Sequence, residues 1–309
     1  EARSVNTPFK KITGSKMSMN ALISIISLFV FGMLWGMAGL VLALPLTAML
    51  KVIFDHSDSK YIADRVKMYT QLGEIYKLFP DCMHSKIKIP LHKQPFSIIR
   101  SMAEVSRSDF QKIQKYVVNQ NAGLKSCLEK GGDILDIGSG LGYGAMHFSY
   151  LYPKAKVTAV EIDARAARES RRNIHDSGLD NNIQVKNADI LKTKLAKKFD
   201  FIYMNLALHE VCERYKDKVS FIRKCHKLLK ENGFLLVSEL PFSSDIKDHR
   251  SIFTQMLTGV QVFEAVLGDS LTTIAEFKSL LRSGGFKNCK VVKQPDPTRV
   301  FFLCRKKYL

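Results

Sequence analysis

The chain has 309 residues, 46% hydrophobic and 25% charged, ordinary values that exclude a disordered, collagen-like or coiled-coil protein. Its length calls for one large domain with an appendage, or for two domains. Lys and Arg number 47 against 29 Asp and Glu, a net charge of +18. Such a surface can favour nucleic acid, anionic lipid or an anionic substrate, but a basic enzyme needs none of them, and nucleic acid is not the expected partner. The six cysteines (Cys82, Cys127, Cys212, Cys225, Cys289 and Cys304) include no pair two to four residues apart, so no metal site is expected. They also lack the spacing of a disulfide framework, which points to a reducing cytosol. The first residue is Glu1 rather than Met, as in a fragment or a processed product with sequence upstream.

Met17 to Leu50 carries no charged side chain, and Ala21–Leu50 reads ALISIISLFVFGMLWGMAGLVLALPLTAML. About twenty residues cross a hydrocarbon core, so residues 17–50 are expected to enter a membrane. Gly32, Gly36, Gly39 and Pro45 permit a tilted or broken helix where neighbours satisfy the backbone. Basic residues stand on both sides (Lys10, Lys11 and Lys16; Lys51 and Lys60), so the positive-inside rule gives no orientation.

The segments GSKMSMNAL (14–22) and FGMLWGMAGLVLALPLTAMLKVIFD (31–55) resemble the C-terminal end of the autoinducer-2 exporter family of permeases, the PerM-like membrane proteins. The resemblance covers about residues 5–58. It implies a membrane anchor, the tail of a longer permease fusion, or an erroneous join of two neighbouring genes. The pore-forming helices are absent from it, so this chain alone is not expected to transport.

His56–Lys60 is polar and reads as a linker. Ile62, Val66, Met68, Tyr69, Leu72, Ile75, Tyr76 and Phe79 recur near helical period, Pro80, Pro90 and Pro95 break the following stretch, and Ile98–Val105 and Phe110–Leu128 look helical again. Residues 59–130 are therefore expected to form a linker and helical cap, after a membrane segment at 1–58 and before a catalytic domain at 131–309.

In that domain strands and helices alternate. Strands are expected at Asp133–Ile137, Lys156–Glu161, Ile183–Asn187, Phe199–Met204 and Gly233–Ser238. Helices should run to about Tyr152, from Ala164 to about Ser177, and over Lys216–Leu229. Thr273 and Glu276 form a capping box for a helix that stops at Gly284–Gly285, and Asn288–Lys293 and Val300–Arg305 finish as antiparallel edge strands. Strand–helix alternation means a mostly parallel sheet covered on both faces. GSGLGYG (138–144) follows the first strand; a glycine loop alone fits nicotinamide, flavin and methyl-donor sites. Three carboxylates sharpen it. Asp136 ends the first strand and can face a ligand ammonium. Glu161 ends the second and can accept two ribose hydroxyls. Asp189, after the third, can reach an adenine amine. Such a cluster suits a sulfonium and ammonium ligand better than a pyrophosphate.

DILDIGSGLGYG, VTAVEID, NADI, FDFIYMNLALHE, ENGFLLVSE and the final SGGF with two strands resemble the successive motifs of class I S-adenosylmethionine-dependent methyltransferases. The resemblance covers about residues 125–309. It implies an α/β, Rossmann-like seven-stranded sheet with helices on both faces, here preceded by the helical cap and the N-terminal transmembrane segment. It also implies that S-adenosylmethionine is held by Asp136, Gly138, Ser139, Gly140, Gly142, Glu161, Ile162, Asp189, Asn205 and Leu206. Asp163 reads as a helix N-cap.

His209 and Glu239 are the candidate catalytic groups, needed only if the acceptor arrives protonated; Glu210 reads as a solvated side chain. After the fourth strand the chain reads Asn205-Leu206-Ala207-Leu208, without the Asn/Asp-Pro-Pro-aromatic motif of base and glutamine amine methylation. The expected acceptor is an oxygen, nitrogen or carbon atom on a small molecule or lipid. Pro241–Leu271, with an apolar stripe at helical spacing, is expected to be a lid or a cover helix. The whole reads as a membrane-held methyltransferase with its catalytic domain cytoplasmic. The alternatives are a permease–methyltransferase fusion and an RNA methyltransferase.

Overall fold

The computed structural model describes residues 91–211, 215–243, 264–268, 270–295 and 299–306, with isolated positions 28, 29, 33, 81, 245, 247, 257, 260 and 261. The chain divides into two compact units, Glu1–Asp64 and Arg65–Leu309. In the first, Leu28, Phe29 and Met33 are helical, and Phe29 and Met33 are exposed. The rest of the expected membrane segment lies outside the described residues, among which no helix is long and apolar enough to cross a membrane. The expected helix over 62–78 also lies outside them.

The second unit opens with α1 (Phe96–Ser106), α2 (Asp109–Lys112), a wider π-helical turn (Ile113–Val118) and α3 (Ala122–Glu129). The single helix expected over 110–128 is thus divided. Asn121 is extended and its side chain accepts from the Leu124 N–H, so it starts a new helix as an N-cap, where apolar spacing alone runs on unbroken.

The sheet follows: β1 (Asp133–Ile137), α4 (Tyr143–Leu151), β2 (Lys156–Glu161), α5 (Ala164–Asp176), β3 (Ile183–Asn187), β4 (Phe199–Asn205), α6 (Leu208–Val211), α7 (Tyr215–Leu228), β5 (Leu229–Glu239), α8 (Ile274–Ser283), β6 (Asn288–Val291) and β7 (Val300–Arg305). The strand order is β3-β2-β1-β4-β5-β7-β6. The first five are parallel, and β7 runs antiparallel to both β5 and β6. Burial on both faces explains the unbroken apolar runs in β4, β5 and β7. Leu135, Ile137, Ile202, Met204 and Val237 pack on one face against Phe221, Ile222, Phe277 and Leu280. Ile134, Phe201, Tyr203 and Leu236 pack on the other against Phe110, Val117, Leu124 and Phe148. Phe199 and Phe201 break the alternation because the β4–β5 register shifts between them. The Thr273–Glu276 capping box forms as the sequence predicts. Cysteine spacing gave no sign of a disulfide, yet Cys289 and Cys304 are joined, because strand register sets them opposite one another on β6 and β7.

Candidate active site

The strand order reverses between β1 and β4, and at such a point the loops leaving two neighbouring strands part and open a crevice. A cavity of about 410 Å³ lies there. Its floor is the ends of β1, β2, β3 and β4 with their loops: Asp136, Gly138, Ser139, Gly140, Glu161, Ile162, Asp189, Asn205 and Leu206, all expected from the sequence, line it. Gly142 does not. It has φ +82, and a Cβ there would lie 2.4 Å from Ser170 Oγ, so its conformation and the close approach of α5 require glycine.

Asp136 is 3% exposed, and its Oδ2 has no hydrogen-bond partner. Burial, and the charge of Glu161, push its carboxyl up to about 7 against the pull of the Tyr203 hydroxyl and the Ala145 N–H. Glu161 accepts from the Gly140 N–H and the Asp163 N–H, both at 2.8 Å. It thereby ties the glycine loop to β2, while burial raises its own carboxyl. Ser139 Oγ is also buried without a partner. Gly140 has φ +53 with open space where a Cβ would stand, room for a ligand against the backbone. Two orphaned buried polar atoms beside a bare backbone cradle, one of them on a carboxyl, fit a ligand carrying an ammonium. Asp163 is the N-cap of α5, accepting from the Arg165 and Ala166 N–H groups, and it lines the cavity as well.

Asn205 faces the cavity, but its amide is committed. Oδ1 accepts from Ser238 Oγ at 2.5 Å and Nδ2 donates to Asp109 Oδ2 at 3.3 Å. Asp109 is buried and paired with buried Arg299 at 2.8 Å. This network joins α2 to the ends of β4 and β5 and the start of β7. Leu206 follows with φ +54, an unusual conformation for a branched side chain that costs about 1–3 kcal/mol; its N–H donates to the Ser238 carbonyl at 2.8 Å.

His209 and Glu239 come together but do not line the cavity. His209 is 3% and Glu239 1% exposed. Glu239 Oε2 meets His209 Nδ1 at 2.8 Å, and Oε1 accepts from the Leu208 and His209 N–H groups, so the pair fastens α6 to the end of β5. His209 Nε2 stands 3.7 Å from both Glu210 and Glu264. Burial opposes charge on the ring, but Glu239 first, then Glu264 and Glu210, raise it to about 10. Glu210, expected to be a solvated side chain, instead lines the cavity: one turn of α6 aims it inward while His209 points into the core.

The roof of the cavity comes from the segment expected to be a helical cap. Ile99, Met102, Ala103 and Ser106 line it with Leu91, Phe110 and Leu267. The spacing of the first four (i, i+3, i+4, i+7) is one face of α1, and that periodicity was the available signal. Tyr143, at the start of α4, lines the cavity too and donates its hydroxyl to Glu104 of α1. In the stretch expected to be a lid or a cover helix, Leu267 lies on the cavity wall and Leu257 and Val266 are core, among the described residues.

Fold, glycine loop and the buried Asp136 carboxyl are those of an S-adenosylmethionine-dependent methyltransferase domain, with S-adenosylmethionine as its cofactor. The family described as Methyltransferase small domain matches residues 121–263. Among curated proteins the chain is similar to a tRNA1(Val) (adenine(37)-N6)-methyltransferase of Vibrio vulnificus (strain CMCP6), 28% identical over 114 residues, 33% of this chain and 48% of that protein. The chain thus spans about half the length of these curated relatives. Among solved structures, an O-methyltransferase family protein from Burkholderia thailandensis superposes with TM-score 0.64 at 12% identity, over 82% of this chain and 74% of that one. Human N-acetylserotonin methyltransferase in complex with S-adenosylmethionine gives 0.55 at 16%, over 83% and 69%. At these identities the likeness is one of fold.

Proposed function

We propose that the protein transfers the methyl group of S-adenosylmethionine to an oxygen, nitrogen or carbon atom of a small, largely apolar, non-anionic acceptor, a lipid among the possible forms. The observation that carries this is the wall of the cavity. Beyond the cofactor-facing carboxylates it is made mostly of Leu91, Ile99, Met102, Ala103, Phe110, Val211 and Leu267, with Ser106, Tyr143 and the carboxylate of Glu210 among them, and no Lys, Arg or His lines it among the described residues.

S-adenosylmethionine, when bound, supplies an electrophilic methyl carbon. The chain's residues do the rest, and positioning alone accounts for much of the acceleration in such a displacement. Asp136 would hold the ammonium, Glu161 the ribose hydroxyls and Asp189 the adenine amine, and Asn205 and Leu206 would bound the reacting end. Glu210 takes the proton of a protonated acceptor. His209 and Glu239 act beneath it, the charged imidazole holding the Glu210 carboxylate in place.

A second reading, RNA methylation, draws support from the tRNA-modifying relatives and from the net charge of +18. Against it stands the Leu206-Ala207-Leu208 sequence after Asn205. The membrane anchor rests on the charge-free stretch 17–50 and on outward-facing Phe29 and Met33, and it would place the domain at the cytoplasmic face, as an anchored enzyme or a permease fusion.

The experiment is transfer of labelled methyl from S-adenosylmethionine by the full chain to three substrate pools: small phenols and amines, extracted lipid, and total tRNA. Label in either of the first two and none in tRNA is the expected outcome. Label in tRNA, abolished by raised salt, overturns it.

A further inference from the structure

Between β3 and β4 the chain makes a tight loop that puts two side chains, Asp189 and Ile190, on the cavity wall. Its backbone is divided by polarity. The N–H groups turn inward on Asp189: its carbonyl accepts from the Lys192 and Thr193 N–H groups at 3.1 and 2.9 Å and from Thr193 Oγ1 at 2.7 Å, and its carboxylate accepts from the Leu191 N–H at 2.8 Å. The carbonyls turn outward and converge. Those of Ile190, Leu191 and Thr193 all accept from one ammonium, Lys224 Nζ, at 2.6, 3.0 and 2.8 Å. Lys224 lies on α7, half-buried, outside the residues that line the cavity.

We propose that Lys224 is a positioning residue for nucleobase recognition: it closes the 189–193 loop and so fixes the Asp189 carboxylate that reads the 6-amino group of the adenine. The assignment rests on the methyl-donor reading of the cavity. Three carbonyl dipoles aimed at one point repel one another, and an ammonium, with three donors and a full charge, satisfies all three. A side chain without that charge leaves the carbonyls partly buried and unpaired, a cost the loop relieves by opening. Opening moves Asp189 and Ile190 together, the hydrogen-bonding and the apolar contact to the base. Neither Asp136 nor Glu161 touches this loop's carbonyls, so the methionine and ribose contacts stay in place. The effect of losing Lys224 is therefore confined to one end of the ligand.

The test uses calorimetric titration of the full chain with two probes, S-adenosylhomocysteine and its 6-oxo (inosine) counterpart. The wild type should prefer the 6-amino compound. Lys224→Met should bind S-adenosylhomocysteine about tenfold more weakly and the 6-oxo compound nearly as the wild type does, so that the preference collapses. Lys224→Arg, which keeps donors and charge, should restore part of it, and Lys227→Met, an exposed lysine on the same helix, should change nothing. A folded Lys224→Met protein with the full preference overturns the assignment, as does one that loses both ligands equally, because that is a general structural role. A folded wild type that binds neither probe removes the methyl-donor reading itself, and the assignment falls with it.

Discussion

The cavity and the exterior of this protein carry opposite charge. The cavity wall holds Asp136, Glu161, Asp163, Asp189 and Glu210 and, among the described residues, no Lys, Arg or His, in a chain of net charge +18. Two like charges 4 Å apart repel by about 4 kcal/mol at an effective dielectric of 20, so an anion that fits by shape would still be disfavoured inside. The exposed cations face water, where each is worth little. Net charge therefore says what the surface meets, and only the positions of individual carboxylates say what the cavity takes.

The largest expected effect comes from the interior. Asp136→Ala should weaken S-adenosylmethionine binding by about 2–3 kcal/mol, the value of a charge-assisted hydrogen bond, measured by calorimetry. Asp136→Asn, which keeps the shape and removes the charge, should do nearly as much; full binding by that variant would break the electrostatic side of the contrast.

A pH dependence follows from the same group. With its carboxyl pushed up to about 7 in the ligand-free protein, Asp136 is protonated below that pH and must lose its proton to meet an ammonium. Affinity should fall about tenfold per pH unit below 7 and level off above 8, and Asp136→Asn should flatten the profile. The sign for stability is opposite. A carboxyl raised on folding stabilises the free domain fully below its unfolded value near 4, and that contribution is lost as pH rises through 7. The rise in Tm on adding cofactor should accordingly grow from pH 6 to pH 8.

Gly142→Ala tests the scaffold. Its φ of +82 and the 2.4 Å approach to Ser170 Oγ predict a loss of about 1–2 kcal/mol and a Tm lower by roughly 2–8 °C. The smallest effect is expected outside: neutralising the exposed Arg168 and Arg171 with Gln should leave cofactor affinity within about twofold. A tenfold loss there would show that the exterior field reaches the ligand.

Strands were legible where burial on both faces writes apolar runs, as in β1, β2 and β7, and the half-exposed edge strand β3 keeps its expected bounds through alternation instead. The carboxylates were legible because Asp136 and Glu161 stand at strand ends and Asp189 just past one, where the sheet dictates the direction of the chain. Spacing did not reveal what depends on register or on a distant partner. Cys289 meeting Cys304, the Asp109–Arg299 pair across most of the chain, and the seating of the α1 face over the cavity are made by tertiary contact, whereas the Asn121 cap is local and was hidden by apolar spacing that runs through it. Glu210 and His209 show the limit most clearly. They are neighbours in sequence, and only the orientation of α6 decides which one reaches the cavity and which the core.

The central claim, that the acidic cavity is the cofactor site, is tested most directly by titrating the full chain with S-adenosylmethionine at pH 8, beside Asp136→Ala and Glu161→Ala. The account predicts saturable binding by the wild type, lost or severely weakened in both variants with their folds intact. A folded wild type that releases no heat, or variants that bind as tightly as the wild type, would contradict it.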